Sequence, residues 1–458
     1  MHSDSGYEVE PGGRLLGRLR VPGDKSISHR AIMLGAIADG VTRVSGFLEG
    51  ADALSTRNVF QAMGVRIEGP EDGRVTVHGV GRDGLRAPGA PLDCGNAGTA
   101  MRLLMGLLAG QAFGSELVGD ETLMRRPMRR VADPLARMGA RIETDGDCPP
   151  VRISPAAGLQ GIEYRLPVAS AQLKSALLFA GLYARGRTVI EEPAPTRDHT
   201  ERMLGGFGVT LERDGARVAI EGGQRLAACE IDVPADISSA AFFLVGASIA
   251  PGSDLVLEHV GMNPTRTGII DILRLMGADI TVLAESEVGG EPVADLRVRA
   301  TPLSGIDVPE ALVPLAIDEF PALFIAAACA RGRTRISGAA ELRVKESDRI
   351  ATMAEGLQAL GVAAEPTADG MLIEGRPDGA AFSGGRVEAH GDHRIAMSFA
   401  MAALRASGPI SIGDTENVAT SFPGFVPLAA GAGLAIAETG PAARSGAAVS
   451  DTGGRDGG

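Results

Sequence analysis

The sequence predicts a mixed α/β protein of two similar domains, each made of three copies of one unit closed around a common axis. Two interleaved series of segments predict it. In the first, "FQAMGVRIE", "LARMGARIE", "LGGFGVTLE", "LRLMGADIT", "LQALGVAAE" and "AAGAGLAIA", a helical apolar pattern stops at a glycine suited to a left-handed C-cap and an alternating strand follows. Those glycines are Gly64, Gly139, Gly208, Gly277, Gly361 and Gly433, about 70 to 85 residues apart.

The second series is "SISHRAIMLGAIADG", "AGTAMRLLMGLLAG", "SAQLKSALLFAGLYARG", "SSAAFFLVGASIAPG", "FPALFIAAACARG" and "HRIAMSFAMAALRASG", closing at Gly40, Gly110, Gly186, Gly252, Gly332 and Gly408. These stretches are apolar nearly all round and rich in Ala and Gly, the pattern of interior helices packed closely on others. Alternating runs such as "RVTVHGV" and "ADLRVRA" supply further strands. No unit can bury its apolar helix alone, so three must close on one another, and the period is too long for an ordinary solenoid.

Bulk properties fit two or three cores in a globular chain: 458 residues, 45% apolar and 22% charged. A formal charge of -13 argues against a nucleic-acid or anionic-membrane surface, so any anion site must be local. The opening "MHSDSGYEVEPGG" has no basic region followed by an apolar stretch, and a cytoplasmic location is expected. Apolar runs such as "ALFIAAACA" fall short of the roughly 20 residues that cross a bilayer. Cys94, Cys148, Cys229 and Cys329 lack CxxC spacing, which favours reduced thiols over disulfides or zinc. Residues 439–458, "TGPAARSGAAVSDTGGRDGG", read as a disordered tail.

The chemistry gathers in the first turns of the interior helices. Lys25 and Ser26 come first, then Asn96, Gly98 and Thr99, then Ser170 and Gln172, then Asp236 and Ser238, then Asp318 and Glu319, then Asp392, His393 and Arg394. Helix starts carry unpaired N–H groups and partial positive charge, so six facing one another would make an oxyanion site. Capping alone explains Ser, Asp, Asn and Thr there. It does not explain Lys25, Arg30 and Arg394, because a cation at a helix start opposes the dipole unless an anion lies between. Loops ahead of the second helices add Arg126 in "TLMRRPM", Arg197 in "PTRDHTE", the stretch "NPTRTG", and Lys345 and Arg349 in "LRVKESDR". Arg126, Arg197, Lys345 and Arg349 are candidate clamps for carboxylate or phosphate, and the crowded charges of "VKESDR" are of the kind that tunes a proton-transfer group. His390 and His393 have no Cys or His partners that would make a metal site. "GNAGTAMR" lacks the lysine of a P-loop.

Six motifs in order, "PGDKSISHR", "GNAGTAMR", "RRPM", "SAQLKSALL", "RVKESDR" and "GDHRIAMSF", make residues 14 to 437 closely resemble the 5-enolpyruvylshikimate-3-phosphate (EPSP) synthase family. The resemblance implies two domains of three βαβαββ units each, hinged at crossovers near Arg20 and Pro234. One lobe is residues 1–20 with 235–438, the other 21–234. It implies transfer of the enolpyruvyl group of phosphoenolpyruvate to the 5-hydroxyl of shikimate 3-phosphate, with release of phosphate and no metal or cofactor. By motif position, Ser26, Arg30, Ser170, Ala171, Gln172, Arg197, Asp318 and Lys345 would hold shikimate 3-phosphate. Lys25, Gly98, Arg126, Gln172, Arg349 and Arg394 would hold phosphoenolpyruvate. Asp318 is the expected base, and Glu346 with Lys25 the expected acid pair. A monomer is expected, with glyphosate as an inhibitor.

Two departures bear on glyphosate. Thr420 in "ATSFPGF" stands where many members carry lysine, a feature that with "PTRDHTE" resembles the divergent branch containing herbicide-tolerant members. Gly98, however, stands where tolerant members often carry alanine. Among rivals, UDP-N-acetylglucosamine enolpyruvyl transferases usually carry a reactive cysteine where this chain has Glu121. An RNA-end-processing relative is disfavoured by the acidic charge. A silent anion binder is disfavoured by carboxylates placed beside the cations.

Overall fold

Residues 5–440 are described by the structure, a computed structural model. The six interior helices span Lys25–Ile37, Gly98–Ala109, Ala171–Tyr183, Ile237–Ile249, Phe320–Cys329 and His393–Ala402. They are inaccessible on all sides; every residue of Ile237–Ile249 is buried. Small residues make this possible. A Cβ on Gly106 would sit 2.0 Å from the Ala176 carbonyl oxygen, so the second and third helices pack backbone to backbone only because a glycine stands there.

The other glycine series acts through its dihedrals. Gly64, Gly139, Gly208, Gly277, Gly361 and Gly433 all have positive φ, between 81° and 116°, as the repeated helix-to-strand turn requires.

Six small sheets, one per unit, surround the helices among the described residues. Five share one plan: a parallel pair extended by antiparallel strands. Glu230–Asp232 runs parallel to Asp39–Ser45, for instance, and Arg74–Val80 and Arg66–Glu71 continue the sheet antiparallel. In the sixth, Gly332–Ile336, Met371–Gly375 and Ala363–Pro366 are all antiparallel, and two parallel bridges, Ser304 to Arg331 and Asp307 to Arg335, mark the missing strand. Gly6–Val9 lies between Ile410–Gly413 and Ile436–Thr439. An early strand is therefore paired on both edges with late ones. Thr439, expected in the tail, closes that last strand; the remainder, 441–458, lies outside the described residues.

Two separate apolar cores result. One gathers residues from Ile27 to Val233 (lobe one); the other gathers Tyr7 to Val21 with Ala235 to Leu434 (lobe two). Between them the chain crosses twice, and the crossings lie side by side. Asp24 N–H donates to Pro234 O at 2.8 Å, Asp236 N–H donates to Pro22 O at 2.9 Å, and Gly23 bridges Ala235. Gly23 has no alternative, because a Cβ there would stand 1.9 Å from Gly46 O.

One buried guanidinium fastens these crossings. Asp24 caps the Lys25–Ile37 helix through Ile27 N–H, and Asp236 caps the Ile237–Ile249 helix through Ser238 N–H. Arg266, from "NPTRTG", donates to Asp24 Oδ2 at 3.0 Å, Asp236 Oδ1 at 3.3 Å and Ser238 Oγ at 2.7 Å, with Glu319 at 3.5 Å. Burial acts to raise the Asp24 pKa, but His199, Arg266 and the Ile27 N–H together bring it down to about 2.

Removing Arg266 leaves three buried carboxylates uncompensated, so Arg266→Ala should lower stability by about 3–5 kcal/mol in urea unfolding at pH 7. The contribution of Asp24 is complete above its ordinary value of 3.8 and is lost as pH falls toward about 2. Asp24→Asn should therefore be less stable than the wild type at neutral pH, and the difference should shrink between pH 4 and 2.

Candidate active site

A cleft of about 460 Å³ opens between the two lobes. Of the residues predicted from sequence, Lys25, Arg126, Ser170, Ala171, Gln172 and Arg197 line it from lobe one, and Asp318, Lys345, Glu346, Arg349 and Arg394 from lobe two. Five of the six interior helix starts reach it, through Lys25, Thr99, Ala171, Asp318 and His393. The sixth, at Ile237, departs from the expectation. Its cap Asp236 and its Ser238 are engaged by Arg266, so that helix start serves the crossings instead.

Two carboxylates sit among the cations. Asp318 pairs with Arg197 from across the cleft, with Lys345 Nζ at 3.4 Å and with Arg349 Nη1 at 3.4 Å, while Arg394 donates to its carbonyl at 3.1 Å. Burial acts to raise its pKa; Lys345, Arg197 and Arg394 overcome that and hold it well below the carboxylate range. Glu346 accepts from Arg349 Nη2 at 2.6 Å and from Arg126 Nη1 at 3.4 Å, again across the cleft. The same contest, burial against Arg349 and then Arg126, leaves it ionised. Arg349, 1% exposed, is oriented by Asp392, which also caps the His393–Ala402 helix.

Lobe one contributes an excess of positive charge. Lys25 Nζ meets Asp52 at 2.9 Å. Gln172 accepts from Arg102 at 2.7 Å and donates to Thr99 Oγ1 at 2.9 Å, so its amide orientation is fixed. Burial, with Arg130 and Arg126 nearby, pushes Arg102 down to about 9. His393 is held well below its ordinary value by burial, Lys25 and Arg394, so it is neutral, and its Nε2 has no hydrogen-bond partner.

Three predicted residues stand behind the wall of the cleft. Arg30 is buried and donates to Thr200 Oγ1, Ser175 Oγ and the Ser26 carbonyl, tying two interior helices to the Arg197 segment; burial pushes it down to about 10. Ser26 contributes that carbonyl. Gly98 backs Arg126: a Cβ would lie 3.0 Å from Arg126 Nη1. Sequence reasoning did not assign Arg102 or Arg130 to the cleft, nor Asp52 to Lys25. Arg102 closes the quoted "GNAGTAMR", so its signal was present; Asp52 in "EGADAL" offers none.

The family model for EPSP synthase (3-phosphoshikimate 1-carboxyvinyltransferase) matches residues 9–428. The chain belongs to the EPSP synthase family. It is 70% identical to the 3-phosphoshikimate 1-carboxyvinyltransferase of Alkalilimnicola ehrlichii, over 94% of this chain and 96% of that protein. It is 66% identical to the one from Halorhodospira halophila, over 95% and 98%. Among solved structures it is similar to EPSP synthase from Acinetobacter baumannii, with TM-score 0.87, 56% identity and coverage of 95% and 100%. The enolpyruvyl transferase NikO of Streptomyces tendae, at TM-score 0.77 and 18% identity over 96% and 100%, shares the fold.

Two sequence features take their place in this EPSP synthase family member. Glu121, where the rival family carries cysteine, is exposed and pairs with Arg125. Thr420 donates its hydroxyl to the Asn417 carbonyl at 2.7 Å, and its backbone packs on Gly50, at the start of the helix that carries Asp52.

Because cations outnumber carboxylates on the cleft wall, divalent anions should stabilise the fold before any chemistry occurs. Inorganic phosphate at ten times its Kd should add about 1.4 kcal/mol. Chloride at equal ionic strength should not reproduce the rise in Tm in a thermal-shift titration, and Arg126→Ala should reduce it.

Proposed function

We infer that this cleft joins phosphoenolpyruvate to shikimate 3-phosphate, forming the 5-enolpyruvyl ether and releasing phosphate. The observation that carries the assignment is the meeting of Lys25, Arg126 and Arg197 from one lobe with Lys345, Arg349 and Arg394 from the other around Asp318 and Glu346. Two polyanions repel in water. Fixed cations and helix starts replace their hydration without reorganising during the reaction.

Ser170, Ala171, Gln172, Arg197, Asp318 and Lys345 line one stretch of the cleft and hold shikimate 3-phosphate, with Ser26 and Arg30 supporting from behind. Lys25, Arg126, Arg349 and Arg394 hold phosphoenolpyruvate, with Gly98 leaving room for Arg126. Asp318, ionised and ringed by cations, takes the proton from the 5-hydroxyl as its oxygen bonds to C2 of the enol. C3 gains a proton from the Glu346 and Lys25 pair, giving a tetrahedral ketal phosphate. The C–O bond to phosphate then breaks, C3 returns a proton, and the enol ether forms.

For Glu346 to donate, it must first be protonated. Without substrate, Arg349 and Arg126 keep it ionised. Once phosphoenolpyruvate engages those guanidiniums, burial dominates and raises its affinity for a proton.

The lobes that close are placed at residues 1–20 with 235–438 and at 21–234; the separate cores support this division except at Val21, which packs in the second core. Arg197–Asp318 and Arg126–Glu346 bridge the lobes, and substrate anions exchange with these pairs. The site is complete within one chain, which fits a monomer in a soluble compartment. Glyphosate, an anion with a carboxylate and a phosphonate, competes for the phosphoenolpyruvate cations.

Purified protein should release phosphate only when both substrates are present; absence of release from folded protein would remove the assignment. Glu346→Gln and Asp318→Asn should each lower kcat by about 10²- to 10⁴-fold. Gly98→Ala should press on Arg126, raising the glyphosate inhibition constant and the KM for phosphoenolpyruvate together; unchanged inhibition would refute the crowding argument.

A further inference from the structure

The strands Asp279–Val288 and Glu291–Arg299 form the longest hairpin of the six units, 10 and 9 residues against 4 and 5 for the Leu211–Asp214 and Arg217–Glu221 counterpart. Its tip is a tight turn through Gly289 and Gly290, with φ of 57° and 81°. The hairpin belongs to lobe two. Its neighbour Asp254–Gly261 pairs with it only as far as Val293, so the tip projects beyond the sheet.

That tip ends on lobe one. Glu291, 4% exposed, meets His199 Nδ1 at 2.7 Å, and Arg202 donates to the Gly290 carbonyl at 2.7 Å. Asn263, also buried in lobe two, donates one amide nitrogen to both Glu291 Oε2 at 2.8 Å and Asp198 Oδ1 at 2.7 Å. Asp198 and His199 directly follow Arg197. On the other side of Arg197, buried Lys174 pairs with Glu192 and Glu201, each at 2.8 Å, with the Thr196 carbonyl at 3.5 Å. The segment bearing Arg197 between the strand Arg187–Glu191 and the helix His199–Gly206 has no regular structure of its own. Between the backbone bond of Glu192 N–H to Ala216 O and the helix start at Asp198, its position is set by these side-chain contacts.

We propose that Glu291 is a positioning residue for Arg197, acting across the lobe boundary through His199 and, with Asn263, through Asp198. This rests on the reading that Arg197 holds the phosphate of shikimate 3-phosphate. Burying a carboxylate and an imidazole has a desolvation cost that a surface turn would avoid, and the hairpin's extra length is what brings Glu291 to His199. The tip docks beside Pro234, at one of the two crossings between the lobes. Arg197 thereby takes its register from both lobes.

The test is steady-state kinetics of the full chain. Wild-type phosphate release is measured first, since its absence defeats the functional reading and not this one. Given activity, Glu291→Ala should raise the KM for shikimate 3-phosphate about tenfold, with kcat and the KM for phosphoenolpyruvate changed by less than about twofold. In an Arg197→Ala background the same change should have no further effect on that KM. Glu291→Gln, which keeps the volume, substitutes under the same criteria if Glu291→Ala does not fold. A loss of thermal stability with the KM for shikimate 3-phosphate unmoved, equal rises in both KM values, or additivity with Arg197→Ala would each overturn the proposal.

Discussion

A single arginine shared by three buried carboxylates holds the two lobes in relation to each other. Arg266 joins Asp24 and Asp236, which cap the first interior helix of each lobe and lie on the two crossings of the chain. Remove its charge and those caps repel one another in a medium that screens poorly. Because both helices begin at this point, the direction of Lys25 into the cleft is set by the same contact that sets the hinge. Stability and active-site geometry are therefore not separable here.

The cleft itself is in a state of deferred neutralisation. Its cations are partly answered by the protein's own Asp318 and Glu346, but the partners come from opposite lobes, and behind them Arg102 has its proton affinity depressed by burial and by the neighbouring Arg130 and Arg126. The internal pairs offset repulsion between the cations of the two walls. They also hold the proton-transfer groups in their unreactive ionised form until ligand anions take over the cations.

Much of this was legible in the sequence, and the reason is periodicity. Glycines forced to positive φ, and helices apolar on every face, recur with the unit, so Gly64 to Gly433 and the six interior helices could be read off without a structure. The polar residues of their first turns could be read too, since a helix start in a core leaves little choice of side chain. What stayed hidden depends on partners distant in the chain. Arg266 sits in a loop, "NPTRTG", that looks like any solvated turn; only its three acidic partners, far apart in sequence, show it to be buried. Asp52 and the His199–Glu291 pair are of the same kind. Arg30 was legible by its place near a helix start, but its bonds to Ser175, Thr200 and the Ser26 carbonyl, which tie it to the Arg197 segment, were not. The sixth helix start was counted with the others although its cap has an internal cation.

The pairing of Gly6–Val9 between Ile410–Gly413 and Ile436–Thr439 carries a consequence for biogenesis. On the ribosome, lobe one emerges complete while the first strand of lobe two still has no neighbour. That strand must wait, with its edge unsatisfied, until nearly the whole polypeptide has been made. Synthesis therefore passes through a stage with one half finished and the other held open until residues 410–439 have been made.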